Sequence, residues 1–156
     1  MEAHSSWYNR TVKEINLRQD TLSKKDAKKY KLDLLRRIAG RVDEFSAYCG
    51  ECQAFQGEIT GLIAELGNLV QLPANKERRR SYNRKINAMV KHLQKTHKLV
   101  NEGYYKGIWM ASGTGIGVAI GAALSNTGIG TPFGVGIGLA IGSYLDKKAK
   151  EEGRVI

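Results

Sequence analysis

From Gly107 to Leu145, 39 consecutive residues carry no acidic, basic or histidine side chain, and Lys106 and Asp146 bracket them. Within this stretch glycine recurs at every fourth position twice over, at Gly113, Gly117 and Gly121 and again at Gly130, Gly134, Gly138 and Gly142. In water such a sequence makes a poor helix, because each glycine costs roughly 1 kcal/mol relative to alanine. Hydrocarbon reverses the balance: every backbone N–H and C=O must find its partner within the chain, and a helix does this for any residue. A spacing of four then lines the glycines of each run along one side of its helix, a groove in which another backbone can lie close.

The stretch therefore reads as two short membrane helices, Ile108 to Leu124 and Pro132 to Leu145. The turn between them, Ser125 to Thr131, has polar groups, glycine and then a Thr-Pro pair that can cap and start the second helix. A span takes about 20 residues, with a range of about 17 to 25. The second segment falls short of that unless Ile129 and Gly130 join it, so the hairpin either crosses fully or dips in. Soluble helix pairs and aggregation-prone segments share this composition; the membrane hairpin is the reading carried forward.

The charge is unevenly distributed. Residues 1 to 70 carry a net +1, residues 71 to 100 a net +8 and residues 101 to 156 a net +1, within a total of +10. Nearly all the excess thus sits on the segment leading into the uncharged stretch, and Lys147, Lys148, Lys150 and Arg154 follow its exit. By the positive-inside rule both ends of the hairpin face the cytoplasm. A basic helix beside a bilayer attracts anionic headgroups by about 1 kcal/mol per nearby Lys or Arg. Arg78, Arg79, Arg80, Arg84, Lys85, Lys91, Lys95 and Lys98 are the candidate headgroup ligands. The same run suits nucleic acid, but a solvated basic face next to a membrane explains it with less, and no nucleic-acid partner is expected. Met1 to Arg10 has no apolar core and no cleavage site, so the bulk of the chain is expected to stay where it is made.

The charged part reads as helix throughout. A short amphipathic helix from Ser5 or Ser6 to Gln19 has Trp7, Tyr8, Val12 and Ile15 on one side, a face suited to packing or, for its Trp-Tyr pair, to a membrane interface. Ser23, followed three residues later by Asp26, starts a second helix expected to run to Leu69 or Val70. Its seam is a heptad, with Leu35, Val42, Cys49, Gln56, Ile63 and Val70 at one position and Ile38, Phe45, Cys52, Ile59 and Leu66 at the other. Leu34, Tyr48, Phe55, Leu62 and Leu69 widen it. Pro73 ends this helix. After the turn Pro73-Ala74-Asn75, a third helix from Lys76 has Tyr82, Ile86, Met89, Val90, Leu93, His97 and Val100 on its apolar side, and so short a turn implies an antiparallel hairpin. That third helix either continues through Gly103 and Gly107 as one rod or bends there.

One constellation has chemistry. Counted outward from Pro73, Cys49 and His97 lie at equal distances along the two arms, with Cys52 and His92 close by. Two thiolates and two imidazoles form a tetrahedral ligand set suited to zinc. Against it, His92 and His97 are five apart, about 140° around a helix, and the cysteines fall on core positions, where cysteine packs as a small hydrophobe. A redox dithiol is the third reading; it is disfavoured because the pair is expected inside a helix, whereas thioredoxin-like dithiols sit at a helix N-terminus within a strand-helix fold. There is no phosphate loop, no Gly-x-Ser-x-Gly elbow and no His-Glu-x-x-His pair, so an enzyme is not expected.

From Cys49 to the end the sequence resembles a group of small uncharacterised bacterial membrane proteins with C-terminal glycine-zipper hairpins. Leu93 to Trp109 (LQKTHKLVNEGYYKGIW), the two glycine runs and the ending Gly142 to Arg154 carry the resemblance. It implies bacterial origin and an inner-membrane setting, and supplies no activity. The expected fold is all-α: an antiparallel, coiled-coil-like cytoplasmic hairpin followed by a two-helix glycine-zipper membrane hairpin. Residues 1–103 form the cytoplasmic domain, 104–146 the hairpin and 147–156 a charged cytoplasmic tail. The expected function is a self-associating, non-enzymatic membrane protein, in its sharpest form a pore-forming or membrane-perturbing homo-oligomer. The alternatives are a membrane-tethered adaptor holding another protein and a metal-responsive sensor.

Overall fold

Two serines begin the regular structure. In the computed structural model, which describes residues 5–71 and 76–156, the Ser5 hydroxyl accepts from the Tyr8 amide at the start of α1 (Ser6–Thr21). The Ser23 hydroxyl does the same for the Asp26 amide at the start of α2 (Lys24–Lys29). Each satisfies one of the donors that the first turn of a helix leaves without a partner. There follow α3 (Leu32–Phe45), α4 (Gly50–Gln71), α5 (Lys76–Thr96), α6 (Tyr104–Ala123) and α7 (Thr127–Glu151). Among the described residues there is no strand, only one isolated bridge between Val100 and Val155. The fold is all-α, and it divides into two units, Met1–His97 and Lys98–Ile156. The expected turn at Pro73, Ala74 and Asn75 lies outside the described residues, as do the side chains of Leu69 and Val70.

In the first unit, the single helix expected from Ser23 to Leu69 or Val70 is instead α2, α3 and α4. Tyr30 ends α2 and Lys31 takes a left-handed conformation, φ 53° and ψ 43°. The break frees backbone groups that must be satisfied, and the buried Tyr82 hydroxyl donates to the Tyr30 carbonyl at 3.0 Å. The second break spans Ser46 to Cys49, where the Ser46 hydroxyl donates to the Asp43 carbonyl at 2.8 Å. The heptad is nevertheless the core: Leu35, Ile38, Val42, Cys52, Ile59, Ile63 and Leu66 are buried, with Phe45, Cys49 and Gln56 half-buried. Against this seam stand Tyr82, Ile86, Met89 and Leu93 of α5, all buried. α1 covers α3 and α4 with Thr11 and Ile15. Trp7 donates to Thr60 at 3.4 Å, and Tyr8 lies against Gly40, so the Trp-Tyr pair packs on helices. α5 stops at Thr96, and Lys98 (φ 58°) and Gly103 (φ 76°) are left-handed, which excludes one continuous rod from α5 into α6.

In the second unit, α6 and α7 lie glycine against glycine. A Cβ on Gly113 would stand 3.1 Å from the Gly138 Cα; one on Gly117, 3.0 Å from Gly134; and one on Gly130, 2.6 Å from Gly121. No side chain other than hydrogen fits at those separations, and this is why both runs have the same period. α7 begins at Thr127, ahead of the Pro132 expected to start it, because the Asn126 side chain accepts from the Ile129 amide and caps the helix earlier. Pro132 within the helix forgoes one amide donor. α7 also runs on past Leu145 to Glu151, taking in half of the expected tail. At the other end the Asp146 carboxylate accepts from the amides of Tyr105 and Lys106, at 3.0 and 3.1 Å, and so caps α6 from the neighbouring helix. Removing a cap of this kind costs about 0.5–2 kcal/mol. Asp146→Ala is therefore expected to speed hydrogen exchange at the Tyr105 and Lys106 amides by about tenfold, and Asp146→Asn by less.

Candidate functional site

Four side chains from the two halves of the first unit converge. Cys49 lies just before α4 and Cys52 in its first turn, because the break after Phe45 ends one helix and starts another there. His92 belongs to the last turns of α5, and His97 follows its final residue. Their ligand atoms all lie within 4.8 Å of one another, close enough to bind a metal ion. The His92 Nε2 lies 3.4 Å from the Cys49 Sγ and 3.6 Å from the Cys52 Sγ, and the His97 Nε2 lies 3.3 Å from the Cys52 Sγ. The 140° objection is thus met by the end of the helix: the two imidazole centroids are 5.2 Å apart.

The surroundings hold this arrangement. The Glu51 carboxylate lies 2.9 Å from the His92 Nδ1, with the Thr96 hydroxyl 3.4 Å from the same atom. Phe45 stacks on His97 with ring centroids 4.0 Å apart and planes 4° from parallel, and Phe55 meets His92 edge-on at 5.3 Å. The two phenylalanines have no ligand chemistry and sequence reading missed them; Glu51 has a carboxylate that can bind metal and sits inside the Cys-Gly-Glu-Cys motif, yet sequence reading does not single it out. Cys52 is fully buried and both cysteines are free thiols. Burial, with a hydrogen bond and charge from Cys49, pushes the Cys52 thiol up to about 12. Burial and then the neighbouring His92 push His97 below the ordinary imidazole range.

These facts bear on the three readings of the pair. The expectation that it is embedded in a helix is corrected: the pair sits at the N-terminus of α4, where redox dithiols do occur. A redox nucleophile needs a lowered thiol pKa, and the Cys52 shift has the opposite sign, so Cys52 would not be the attacking thiol of such a pair. Inert packing accounts for Cys52 but not for two imidazoles turned toward it.

The candidate headgroup ligands do not form one cluster. Arg80, Arg84, Lys91 and Lys95 fall within about 60° of one another around α5 and point away from Tyr82, Ile86, Met89 and Leu93. Arg78 and Lys85 lie on another side, Lys85 4.0 Å from Glu65, while Arg79 is half-buried. Lys98 belongs to the second unit. All seven expected packing glycines, Gly113, Gly117, Gly121, Gly130, Gly134, Gly138 and Gly142, have backbone of the opposite helix where a Cβ would stand. No family model, curated protein or solved structure matches the chain.

Proposed function

We propose that this is a non-enzymatic, membrane-tethered adaptor: α6 and α7 form a glycine-zipper hairpin in lipid, and the helices of Met1–His97 are held at the membrane to engage another protein. The observation that carries the reading is the inversion of the second unit, with glycine inside and large apolar side chains outside. Ile116, Ile120, Leu124, Ile129, Phe133 and Ile137 are 54–73% exposed. A contiguous apolar surface of this kind is rare on a domain bathed in water. It forms a groove along both helices, lined by Trp109, Ile116, Ile120, Phe133, Ile137 and Ile141 among others, whose chemistry suits an acyl chain.

Helix length fits as well. The uncharged parts of α6 and α7, residues 107–123 and 127–145, are about 26 and 28 Å long at about 1.5 Å per residue, against a hydrocarbon core about 30 Å thick. α7 is long and apolar enough to cross a membrane by length and composition. The basic groups on both flanks favour a cytoplasmic position for both ends, and the resemblance to bacterial hairpin proteins favours an inner membrane.

Two observations favour a tether over a pore. The Thr114 and Thr131 hydroxyls donate to the Met110 and Thr127 carbonyls of their own helices, so each already has a partner within its helix and can sit in lipid. The glycine grooves are filled by the opposite helix of the same chain. Self-association of copies then falls to the aliphatic outer faces.

Alkaline carbonate extraction of membranes containing the full chain, with the double variant Ile116→Asp/Ile137→Asp alongside, tests the placement. Exposed positions in water tolerate such changes within about 0.5 kcal/mol, whereas an aspartate at the centre of a membrane helix costs about 2.5–3.5 kcal/mol. The wild type is expected in the pellet and the variant largely in the supernatant. Wild-type protein released by carbonate would end this reading.

A further inference from the structure

The four-residue cluster in the first unit is more ordered than thiol and imidazole packing requires. The His92 Nε2 faces the sulfur of both cysteines, and the Cys52 Sγ faces the Nε2 of both histidines. A neutral imidazole nitrogen has either one proton or one lone pair to offer, so pairwise hydrogen bonds satisfy at most two of these three contacts. A single cation at the centre of the cluster satisfies all three.

The lengths agree with a particular cation. Zinc binds thiolate at about 2.3 Å and imidazole at about 2.0–2.1 Å in a tetrahedron, which sets the sulfur-to-nitrogen edge at about 3.6 Å. Three of the four sulfur-to-nitrogen edges are 3.4, 3.6 and 3.3 Å, and the remaining separations in the cluster lie within 4.8 Å. The spacings Cys-x-x-Cys and His-x-x-x-x-His fall within those of structural zinc sites. The Glu51 carboxylate at the His92 Nδ1 is the outer partner that zinc-bound histidine ordinarily has: it accepts a hydrogen bond from the Nδ1–H and leaves the Nε2 lone pair aimed at the metal.

We infer that Cys49, Cys52, His92 and His97 hold one zinc ion through two Sγ and two Nε2 atoms, with Glu51 as the positioning residue for His92. On binding, each thiol gives its proton to solvent, and the two thiolates balance the charge of the dication. All four tetrahedral positions are taken by protein, so no place remains for water or substrate, and the centre is structural. It fastens the break between α3 and α4 to the end of α5.

The test uses the full chain, purified in detergent under reducing conditions and reconstituted with zinc or with cobalt(II). About one metal per chain is expected, together with the ligand-field and thiolate charge-transfer bands of four-coordinate cobalt. Cys52→Ser is expected to lose both. Because Cys52 is buried and its variant could fail to fold, Glu51→Gln is the second arm: Glu51 is mostly exposed, with 69% of its side-chain surface accessible. This variant is expected to keep the stoichiometry and bind about 10–100-fold more weakly in chelator competition. Fewer than about one zinc per four reconstituted wild-type chains, or cobalt without the thiolate band, would overturn the site. Unchanged affinity in Glu51→Gln would overturn the role given to Glu51.

Discussion

Gly134→Leu is expected to drive α6 and α7 apart, while Gly136→Leu, two residues further along the same helix, leaves them paired. A Cβ on Gly134 would stand 2.8 Å from the Gly117 Cα and 2.9 Å from its amide nitrogen, whereas one on Gly136 meets nothing within 4 Å. What resists at Gly134 is backbone, which has no rotamer to change. Overpacking against movable side chains costs about 1–3 kcal/mol, and here the loss is expected at the upper end of that range or beyond it. The control is biased the other way, since exchanging glycine for leucine favours a helix by up to about 1 kcal/mol. The difference between the variants therefore reports packing and not propensity. It can be read by titrating the full chain from mild detergent into SDS while following Trp109 emission in a Trp7→Phe background. If the two variants unfold at the same SDS fraction, the glycine faces do not hold the helices together.

The glycine periods made this unit legible because they state a distance: only hydrogen fits where two backbones meet, and Gly113, Gly117, Gly130 and Gly134 mark four such places in sequence. The outward aliphatic side chains follow by default. What closes the base of the unit was not legible. Asp146 looked like the charge that ends an apolar run, and its role as a cap depends on Tyr105 and Lys106, some 40 residues away. The amide of Val100 likewise donates to the Arg154 carbonyl at 2.8 Å, and that of Ile156 to the Val100 carbonyl at 2.9 Å. No local pattern encodes a pairing across that interval.

In the first unit the heptad gave the buried residues but not the path of the backbone. Leu35, Ile38 and Val42 precede the second break and Cys52, Ile59 and Ile63 follow it, all buried. A seam can continue across an interruption when the flanking helices present their apolar faces to the same core. Periodicity therefore concealed both breaks, at Lys31 and at Ser46 to Cys49. The second has a chemical consequence, because it converts Cys49 and Cys52 from the middle of a helix to its beginning. There they can face the end of α5 together. The cluster's members were legible from the count about Pro73; their convergence required the two helix ends, which that count did not contain.

Chelation is the perturbation expected to affect the first unit most. If the ion stays bound at about a thousandfold over its dissociation constant, it contributes about 4 kcal/mol to the stability of the folded unit. Its removal leaves Cys52 and both imidazoles near one another with no charge at their centre. The apolar core of Leu35, Ile38, Ile59, Ile63, Ile86 and Met89 does not touch this balance, since none of those residues is a ligand. Partial loosening is therefore expected, and not collapse. Amide exchange should rise most between Phe45 and Gln53, where the Cys49 amide donates to the Phe45 carbonyl and the Gln53 amide to the Cys49 carbonyl, at 2.9 and 3.0 Å. The core amides around Ile59 and Ile86 should change much less. Hydrogen exchange read by mass spectrometry, with and without a strong zinc chelator, resolves these segments. The same chelator added to Cys52→Ser should produce no further change, because the destabilisation is already present in that variant. Equal exchange in the Phe45–Gln53 segment of the wild type, with metal or without it, would mean that the ion holds nothing in place.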